Sequence, residues 1–170
     1  MDWELDDAIE IISNRFHLVL IMEYFDESLV LLKRKMCWKV DDIVYFQLNR
    51  QVDSRNQSNP ATRDKILQWS KADLMLYKHF NETLWKKIRN EGDSFWNDVS
   101  LLRKKNADFR RICLQAGRVV LDRPYPGSNS FIYGHALKSD IPHEHILSCQ
   151  RMVRSEMTYL NFFKHRLDKT

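Results

Sequence analysis

The sequence has little glycine, proline or cysteine: 4, 4 and 3 residues among 170. This scarcity of chain breakers, together with 44% hydrophobic residues, indicates a globular protein and argues against a disordered chain. No stretch of about 20 apolar residues and no signal-peptide pattern occurs, so we expect no segment of this chain to span a membrane. The length corresponds to about one domain with a substantial core.

Several motifs that would indicate a particular chemistry are also missing. The sequence contains no CxxC pair, no GxGxxG and no P-loop, so zinc, redox and nucleotide-loop sites are not indicated. His143 and His145 stand two residues apart and would not share a helix face, so we predict no metal site there. No Ser/His/Asp arrangement can be argued from spacing.

The charge pattern is mildly basic. Lys and Arg number 27 against 23 Asp and Glu, which gives a net charge of +4 and a pI near 9.0. Because the basic residues are interleaved with acidic ones, the pattern is typical of a solvated surface of mixed charge. It is compatible with anionic ligands, but it does not indicate nucleic acid as a partner.

A short apolar run, Leu18–Met22, is bounded by polar residues and is too short for a helix. It predicts a strand buried on both faces, as in a parallel sheet. Asp26 then fits the N-cap of a helix that extends to about Cys37-Trp38, with Glu27 in its first turn. Since ligands of α/β proteins gather at the carboxyl ends of strands, Glu23, Asp26 and Glu27 are candidate binding residues.

The rest of the chain predicts an α/β protein that is mostly helical and has few strands. Beyond the central segment we predict helices at 5–15, 61–69, 70 onward (broken at Asn81, the N-cap of a second helix), 94–115 (stopped near Gly117) and 142–167, with Pro142 at its first position. Residues 50–60 and 117–141 read as loops, and 40–49 fit either a strand or a short capped helix. The lone strand has few candidate neighbours, so we expect the chain to be the second half of a larger unit.

The three cysteines allow two interpretations. In a reducing compartment Cys37, Cys113 and Cys149 would be small buried hydrophobic residues. In an oxidising compartment we expect Cys113 to pair with Cys149 and Cys37 to stay free. Two sequons, at Asn56 and Asn81, fit N-glycosylation, and a plain helix cap is the competing interpretation of Asn81.

Four blocks of sequence resemble one known family. They are residues 15–49, with the run Phe-His-Leu-Val-Leu-Ile-Met-Glu-Tyr-Phe-Asp-Glu at its start, then Leu76–Trp85, Ile112-Cys113 and, weakly, Cys149–Met152. The pattern resembles the carboxyl-terminal part of the galactose 3-O-sulfotransferases, and the first block is the most specific.

The resemblance implies a concrete set of expectations. Members of this family are type II Golgi membrane enzymes with a lumenal catalytic domain of the P-loop-like sulfotransferase fold. They move a sulfuryl group from 3′-phosphoadenylyl sulfate to the 3-hydroxyl of galactose on glycolipids or glycoprotein glycans, and we expect no metal. The resemblance also implies glycosylation at Asn81 and favours the Cys113–Cys149 bridge. In addition to Glu23, Asp26 and Glu27, which would bind galactose, it makes Lys138 a candidate contact to an anion.

The departures from the family pattern are equally informative. The Lys-Thr-His-Lys-Thr type phosphosulfate loop, the Arg-x-Pro segment and the membrane anchor of the family do not occur in these residues. We therefore expect residues 1–170 to be the carboxyl-terminal portion of one sulfotransferase domain, inactive alone, with the catalytic residues and the anchor elsewhere. The competing hypothesis is a non-catalytic, helix-rich domain that binds a glycan or a protein partner.

Overall fold

The computed structural model describes residues 2–48, 59–122 and 132–167. Its elements are helices α1 (Asp2–Arg15), α2 (Phe25–Lys35), α3 (Pro60–Trp69), α4 (Lys71–Arg89), α5 (Asp93–Cys113), α6 (His143–Met152) and α7 (Glu156–Leu167), strands β1 (Leu114–Asp122) and β2 (Ile132–Leu137), and 3-10 turns at Met22–Tyr24 and Val40–Ile43. The prediction of a mostly helical chain with few strands is confirmed. The chain divides into unit 1 (residues 1–43 and 55–103) and unit 2 (residues 44–54 and 104–170).

The core of unit 1 comes from apolar residues spaced one helical turn apart. In α4, Phe80, Leu84 and Ile88 recur every four residues and are buried, as are Phe95 and Val99 in α5. This spacing places each set on one helix face. Burial of one large apolar side chain there stabilises the folded state by about 1.5–3 kcal/mol. The predicted helices at 5–15, 61–69 and 94–115 are confirmed in type, with small shifts at their ends.

The predicted break at Asn81 is wrong, because α4 continues through this residue without interruption. Phe80 and Leu84, which flank Asn81, are both buried, and their burial on one face requires a continuous helix.

The start of α3 follows local rules more closely. The Asn59 side chain accepts a hydrogen bond from the Ala61 N–H, and Pro60 occupies the first helical position.

The predicted strand at Leu18–Met22 is also wrong for this structure. Ile21 has extended dihedral angles, but in the part of the chain that the structure describes no neighbouring strand pairs with this segment. A strand needs a backbone partner, and without one the apolar run stays irregular and ends in the 3-10 turn. Asp26 is not the N-cap, because α2 begins at Phe25 with no side-chain cap bond, and α2 ends at Lys35 rather than near Trp38.

Unit 2 contains an antiparallel hairpin where a loop was expected. Strand β1 pairs with β2 in the register Val119↔His135, Val120↔Gly134 and Leu121↔Tyr133, so the prediction of a loop at 117–141 is wrong. Gly117 does not end α5, which stops at Cys113. Its φ of +71° lies in the left-handed region that glycine adopts freely, within the stretch where the strand register shifts.

The core of unit 2 surrounds the end of α5. Phe46, Cys113, Leu114 and Cys149 are buried together, and partly buried neighbours such as Phe109 pack against them.

Residues 40–49, which fitted either a strand or a short helix, contain the 3-10 turn Val40–Ile43, with irregular backbone at 44–48.

The predicted single helix at 142–167 is two helices, α6 and α7, separated at residues 153–155. Pro142 is the N-cap of α6 rather than the predicted first helical residue, so the helix begins one residue later. The apolar spacing of this segment predicts that Ile146, Cys149 and Leu160 share one buried face; in the structure Cys149 is buried, whereas Ile146 and Leu160 are exposed. The apolar spacing therefore did not identify the buried face correctly at this end of the chain.

Candidate functional site

Two of the three predicted carboxylates form ion pairs in unit 1. Asp26 and Glu27 lie in the first turn of α2, and both bind the guanidinium of Arg103 on α5. The Arg103 Nε–Asp26 Oδ2 distance is 2.9 Å and the Nη2–Glu27 Oε1 distance is 2.8 Å. The hydrogen bond to Asp26 and the charges of both carboxylates raise the pKa of Arg103 above its ordinary value. This arrangement ties α2 to α5 and occupies one oxygen of each carboxylate.

Glu23 has a different environment. It lies in the 3-10 turn, is exposed, and is near enough to the phenol of Tyr77 on α4 for its charge to act on that group. Partial burial, followed by the negative charge of Glu23, raises the pKa of the Tyr77 phenol. Next to Glu23, Tyr24 packs edge-on against Trp85, with ring centroids 4.8 Å apart. A carboxylate that accepts hydrogen bonds, beside aromatic side chains, is a combination suited to a polyhydroxyl ligand such as a sugar.

A cluster of ion pairs that sequence reasoning missed links the end of α2 to α5. Asp98 Oδ2 lies 2.8 Å from Lys33 Nζ and 2.9 Å from Arg34 Nη2, and Arg34 Nη1 lies 2.8 Å from Glu91 Oε2. Burial alone would raise the pKa of Asp98, but hydrogen bonds from the two cations lower it below its ordinary value. Lys33 and Arg34 stand at the carboxyl end of α2, and no local pattern in the sequence indicates partners that lie 57 to 65 residues away.

A small cleft in unit 1, of about 80 Å³, has a serine and a histidine in its wall. Ser13 Oγ donates its proton to the Ile9 carbonyl oxygen, so it must accept the hydrogen bond from His79 Nε2, 2.9 Å away. In this arrangement His79 is the donor and cannot act as a base toward Ser13. The pair therefore stabilises the packing of α1 and α4 and does not form an activated nucleophile.

Lys138, the candidate anion contact in unit 2, is used within the fold. Its Nζ donates to the Arg111 carbonyl oxygen at 2.8 Å, and its backbone N–H donates to the Cys113 carbonyl oxygen at 2.9 Å. Both carbonyls belong to the last turn of α5, whose oxygens have no partner within the helix. A cation there also complements the negative end of the helix dipole.

The cysteines of unit 2 are joined covalently. Cys113 and Cys149 form a disulfide with a Cα–Cα distance of 5.5 Å, while Cys37 in unit 1 is free and exposed. Both bonded cysteines are fully buried. The bond connects the last residue of α5 to α6, so it fixes the start of the hairpin to the helix that follows it.

The two sequons differ in what the structure describes. Asn56 lies outside the described residues. Asn81 lies within α4, and its Oδ1 atom is buried with no hydrogen-bond partner in the described part of the structure. Glycosylation of either residue stays a prediction.

The described residues contain neither a metal-binding cluster nor a membrane-spanning helix. Across residues 2–48, 59–122 and 132–167, no group of three or more His, Cys, Asp or Glu residues has an arrangement that could hold a metal ion. Over the same ranges, no helix combines the length and apolar character needed to cross a membrane.

Comparisons with known proteins identify similar sequences along nearly the whole chain. The family model described as galactose-3-O-sulfotransferase matches residues 2–167. Galactosylceramide sulfotransferase of Bos taurus is 36% identical over 92% of this chain and 40% of its own length. Galactose-3-O-sulfotransferase 2 of Homo sapiens is 36% identical over 88% of this chain and 40% of its own length. The chain thus spans about two fifths of these curated relatives, and no solved structure matches it significantly.

Proposed function

Because the chain belongs to the galactose-3-O-sulfotransferase family, we propose that the protein transfers a sulfuryl group from 3′-phosphoadenylyl sulfate to the 3-hydroxyl of galactose. The observation that carries the proposal is the family match over residues 2–167, together with 36% identity to a galactosylceramide sulfotransferase. The acceptor in the proposal is galactosylceramide or a related galactose-terminated glycan, as the names of the relatives suggest.

In the proposed reaction the galactose 3-oxygen attacks the sulfur atom and forms a new O–S bond. The bond between that sulfur and the phosphate oxygen of the donor breaks, and adenosine 3′,5′-bisphosphate leaves with the electron pair. The proton of the attacking hydroxyl passes to a base, and cationic groups stabilise the charge on the leaving phosphate. From the family pattern we expect the donor-binding groups and the base to lie outside residues 1–170, so this chain alone should not turn over.

Within the described residues we propose Glu23 as a contact to the acceptor sugar. It is exposed, it lies near the Tyr77 phenol, and its carboxylate oxygens can accept hydrogen bonds from sugar O–H groups. Asp26 and Glu27 are weaker candidates because both bind Arg103, and Glu27 is only 8% exposed.

We further propose that the protein has the P-loop-like sulfotransferase fold and works on the lumenal side of the Golgi membrane, held there by an anchor outside this chain. The disulfide between Cys113 and Cys149 supports an oxidising compartment. Glycosylation at Asn81 or Asn56 would be consistent with the same location, since the oligosaccharide is added in the secretory pathway.

The test is a transfer assay on the full-length gene product with sulfur-labelled donor. Galactosylceramide is the acceptor, and glucosylceramide, which differs in the configuration at one carbon, is the matched control. We expect label on the galactolipid only, and the product should resist periodate, because a 3-O-sulfate leaves no adjacent pair of free hydroxyls on the pyranose. Retained binding of galactoside with no transfer would favour the competing function, a glycan-binding domain without activity.

A further inference from the structure

The second half of α7, in unit 2, is exposed along its whole length. Every residue from 160 to 167 is exposed, and four of them are large and apolar: Leu160 at 47%, Phe162 at 45%, Phe163 at 54% and Leu167 at 73%. Single exposed apolar residues are ordinary on a protein surface. Four of them on two turns of one helix form a patch, and such patches indicate an interaction surface.

The first half of α7 is fixed to α6. The Tyr159 hydroxyl donates to the Arg151 carbonyl oxygen at 2.9 Å. The Arg154 guanidinium lies over the Tyr159 ring, 5.8 Å from its centroid, and the rings of Tyr159 and Phe163 stack with centroids 6.5 Å apart. These contacts set the direction in which α7 presents its exposed half.

The order of residues along α7 places a cation on each side of an apolar stripe. At about 100° per residue, Leu160, Phe163 and Leu167 fall within an arc of about 60°, which we call the α7 stripe. Lys164 lies about 40° beyond one edge of the stripe, and Arg166 lies about 60° beyond the other. Side chains of this length can extend away from an apolar surface and keep their charges in water. An apolar aromatic face with cations beside it is typical of helices that lie in a membrane surface.

The charge around the stripe favours an anionic surface. Residues 151–167 contain four Lys or Arg residues and one acidic residue, Glu156, which lies in the first turn of α7. The Arg166 guanidinium also lies over the ring of Phe162, 5.8 Å from its centroid. A second copy of this segment has the same excess of positive charge and would repel it, whereas the head groups of anionic lipids complement it.

We propose that the α7 stripe binds the surface of a lipid bilayer, with Leu160 and Phe163 among the acyl chains and Lys164 and Arg166 at the level of the head groups. At 12 residues α7 is about 18 Å long, shorter than a hydrocarbon core of about 30 Å, so it lies along the surface and does not span the bilayer. The role of this contact rests on the proposed function, because galactosylceramide has its acyl chains in a bilayer. The stripe would hold unit 2 against the leaflet that presents the acceptor.

The first experiment measures sedimentation of this 170-residue chain with vesicles of phosphatidylcholine that contain about one fifth phosphatidylglycerol. We expect binding, and we expect Leu160→Gln combined with Phe163→Gln to raise the Kd about tenfold or more, because both substitutions reduce the apolar area that enters the lipid. The matched control is Ile66→Gln with Leu67→Gln on α3, where the side chains are 53% and 41% exposed, and it should have no effect. Equal losses from the two pairs, or no binding of the unsubstituted chain, would overturn the proposal.

A pair of charge variants tests the cations beside the stripe. Lys164→Gln combined with Arg166→Gln should raise the Kd for the mixed vesicles about tenfold and leave the Kd for phosphatidylcholine alone unchanged. The control is Arg63→Gln with Lys65→Gln, two exposed cations on α3 that are also two residues apart. An equal rise from both pairs would mean that only net charge matters, and it would contradict the position assigned to Lys164 and Arg166.

Self-association is the first competing explanation of the exposed stripe. Sedimentation velocity compares the 170-residue chain with its Leu160→Gln, Phe163→Gln variant in the absence of lipid. We expect the same sedimentation coefficient for both. A dimer that the variant dissociates would assign the stripe to a second copy of the chain and refute the proposal.

Packing of the stripe within the full-length gene product is the second competing explanation. There, Leu160→Gln with Phe163→Gln should raise the KM for galactosylceramide in vesicles about tenfold, while the KM for soluble methyl β-galactoside and the Tm stay unchanged. An equal rise in both KM values, or a decrease in Tm, would show that the stripe is buried in the enzyme and overturn the proposal. Absence of any sulfate transfer would refute the proposed function, whereas the vesicle experiment would still decide whether α7 binds lipid.

Discussion

The ion pairs of Arg103 allow a quantitative test of what holds α2 against α5. Arg103→Met keeps most of the side-chain length, and so most of its packing, but removes the charge that faces Asp26 and Glu27. Glu27 is 8% exposed, so the variant leaves a buried carboxylate without its cation. Breaking a fully buried pair costs about 3–5 kcal/mol, whereas an exposed pair contributes about 0–1 kcal/mol.

The structure places this pair between the two limits. The Arg103 side chain is 55% exposed, so water can replace part of the lost interaction, while the Glu27 side chain is 10% exposed. We therefore expect Arg103→Met to lower the free energy of unfolding by about 1–2 kcal/mol. For a chain of this size that corresponds to a decrease in Tm of about 2–8 °C.

The assay is urea and thermal unfolding of the 170-residue protein, followed by tryptophan fluorescence. The matched control is Arg111→Met, since Arg111 pairs with Asp108 at 2.8 Å but is 78% exposed, and its loss should cost less than about 0.5 kcal/mol. Combining Arg103→Met with Glu27→Gln should cost less than the sum of the two single changes. If Arg103→Met and Arg111→Met have equal effects, burial of Glu27 does not govern the interaction and the reasoning is wrong.

Three further predictions concern other parts of the molecule. Because the pKa of Asp98 is lowered in the folded state, its ion pairs contribute fully to stability above the ordinary value of 3.8, and the contribution is lost as pH falls through the lower folded value. Asp98→Asn should therefore reduce the decrease in the free energy of unfolding at acid pH, and an unchanged decrease would exclude Asp98 as its cause. Replacing Cys113 and Cys149 by Ala should lower the free energy of unfolding by about 2–4 kcal/mol, because the bond between residues 36 apart restricts the conformations of the unfolded chain. A loss under about 0.5 kcal/mol would contradict this restriction as a source of stability. Glu23→Gln in the full-length protein should raise the KM for galactosylceramide about tenfold with the KM for the sulfate donor unchanged, and equal changes in both would refute an acceptor contact.

The helices were predictable because their signals are local. The four-residue spacing of Phe80, Leu84 and Ile88 and the Asn59-Pro60 start of α3 depend only on near neighbours in the sequence. Asn81 shows the limit of this reasoning, since burial on either side of it prevailed over its tendency to begin a helix. Tertiary packing determines such positions, and a single sequence does not display it.

The strands and the candidate site were less predictable, because they depend on distant partners. The run Leu18–Met22 has strand composition, yet a strand exists only where another backbone pairs with it. The hairpin is not predictable by local rules, because a glycine such as Gly117 is typical of a loop, although a glycine with positive φ also fits within a strand. The pairing of Arg103 with Asp26 joins residues 77 apart in sequence, and no local pattern marks such a contact.

The disulfide has a consequence for how the chain tolerates cutting and sequence change. Every residue between Cys113 and Cys149, the hairpin strands included, lies within one covalent loop. A protease that cuts once anywhere in this interval leaves two pieces joined in a single molecule, which separate only after reduction. Insertions in the interval likewise leave the ends of the loop fixed to each other, and a longer loop adds little closure entropy. The covalent attachment of α6 to α5 therefore does not depend on the length of the segment between them.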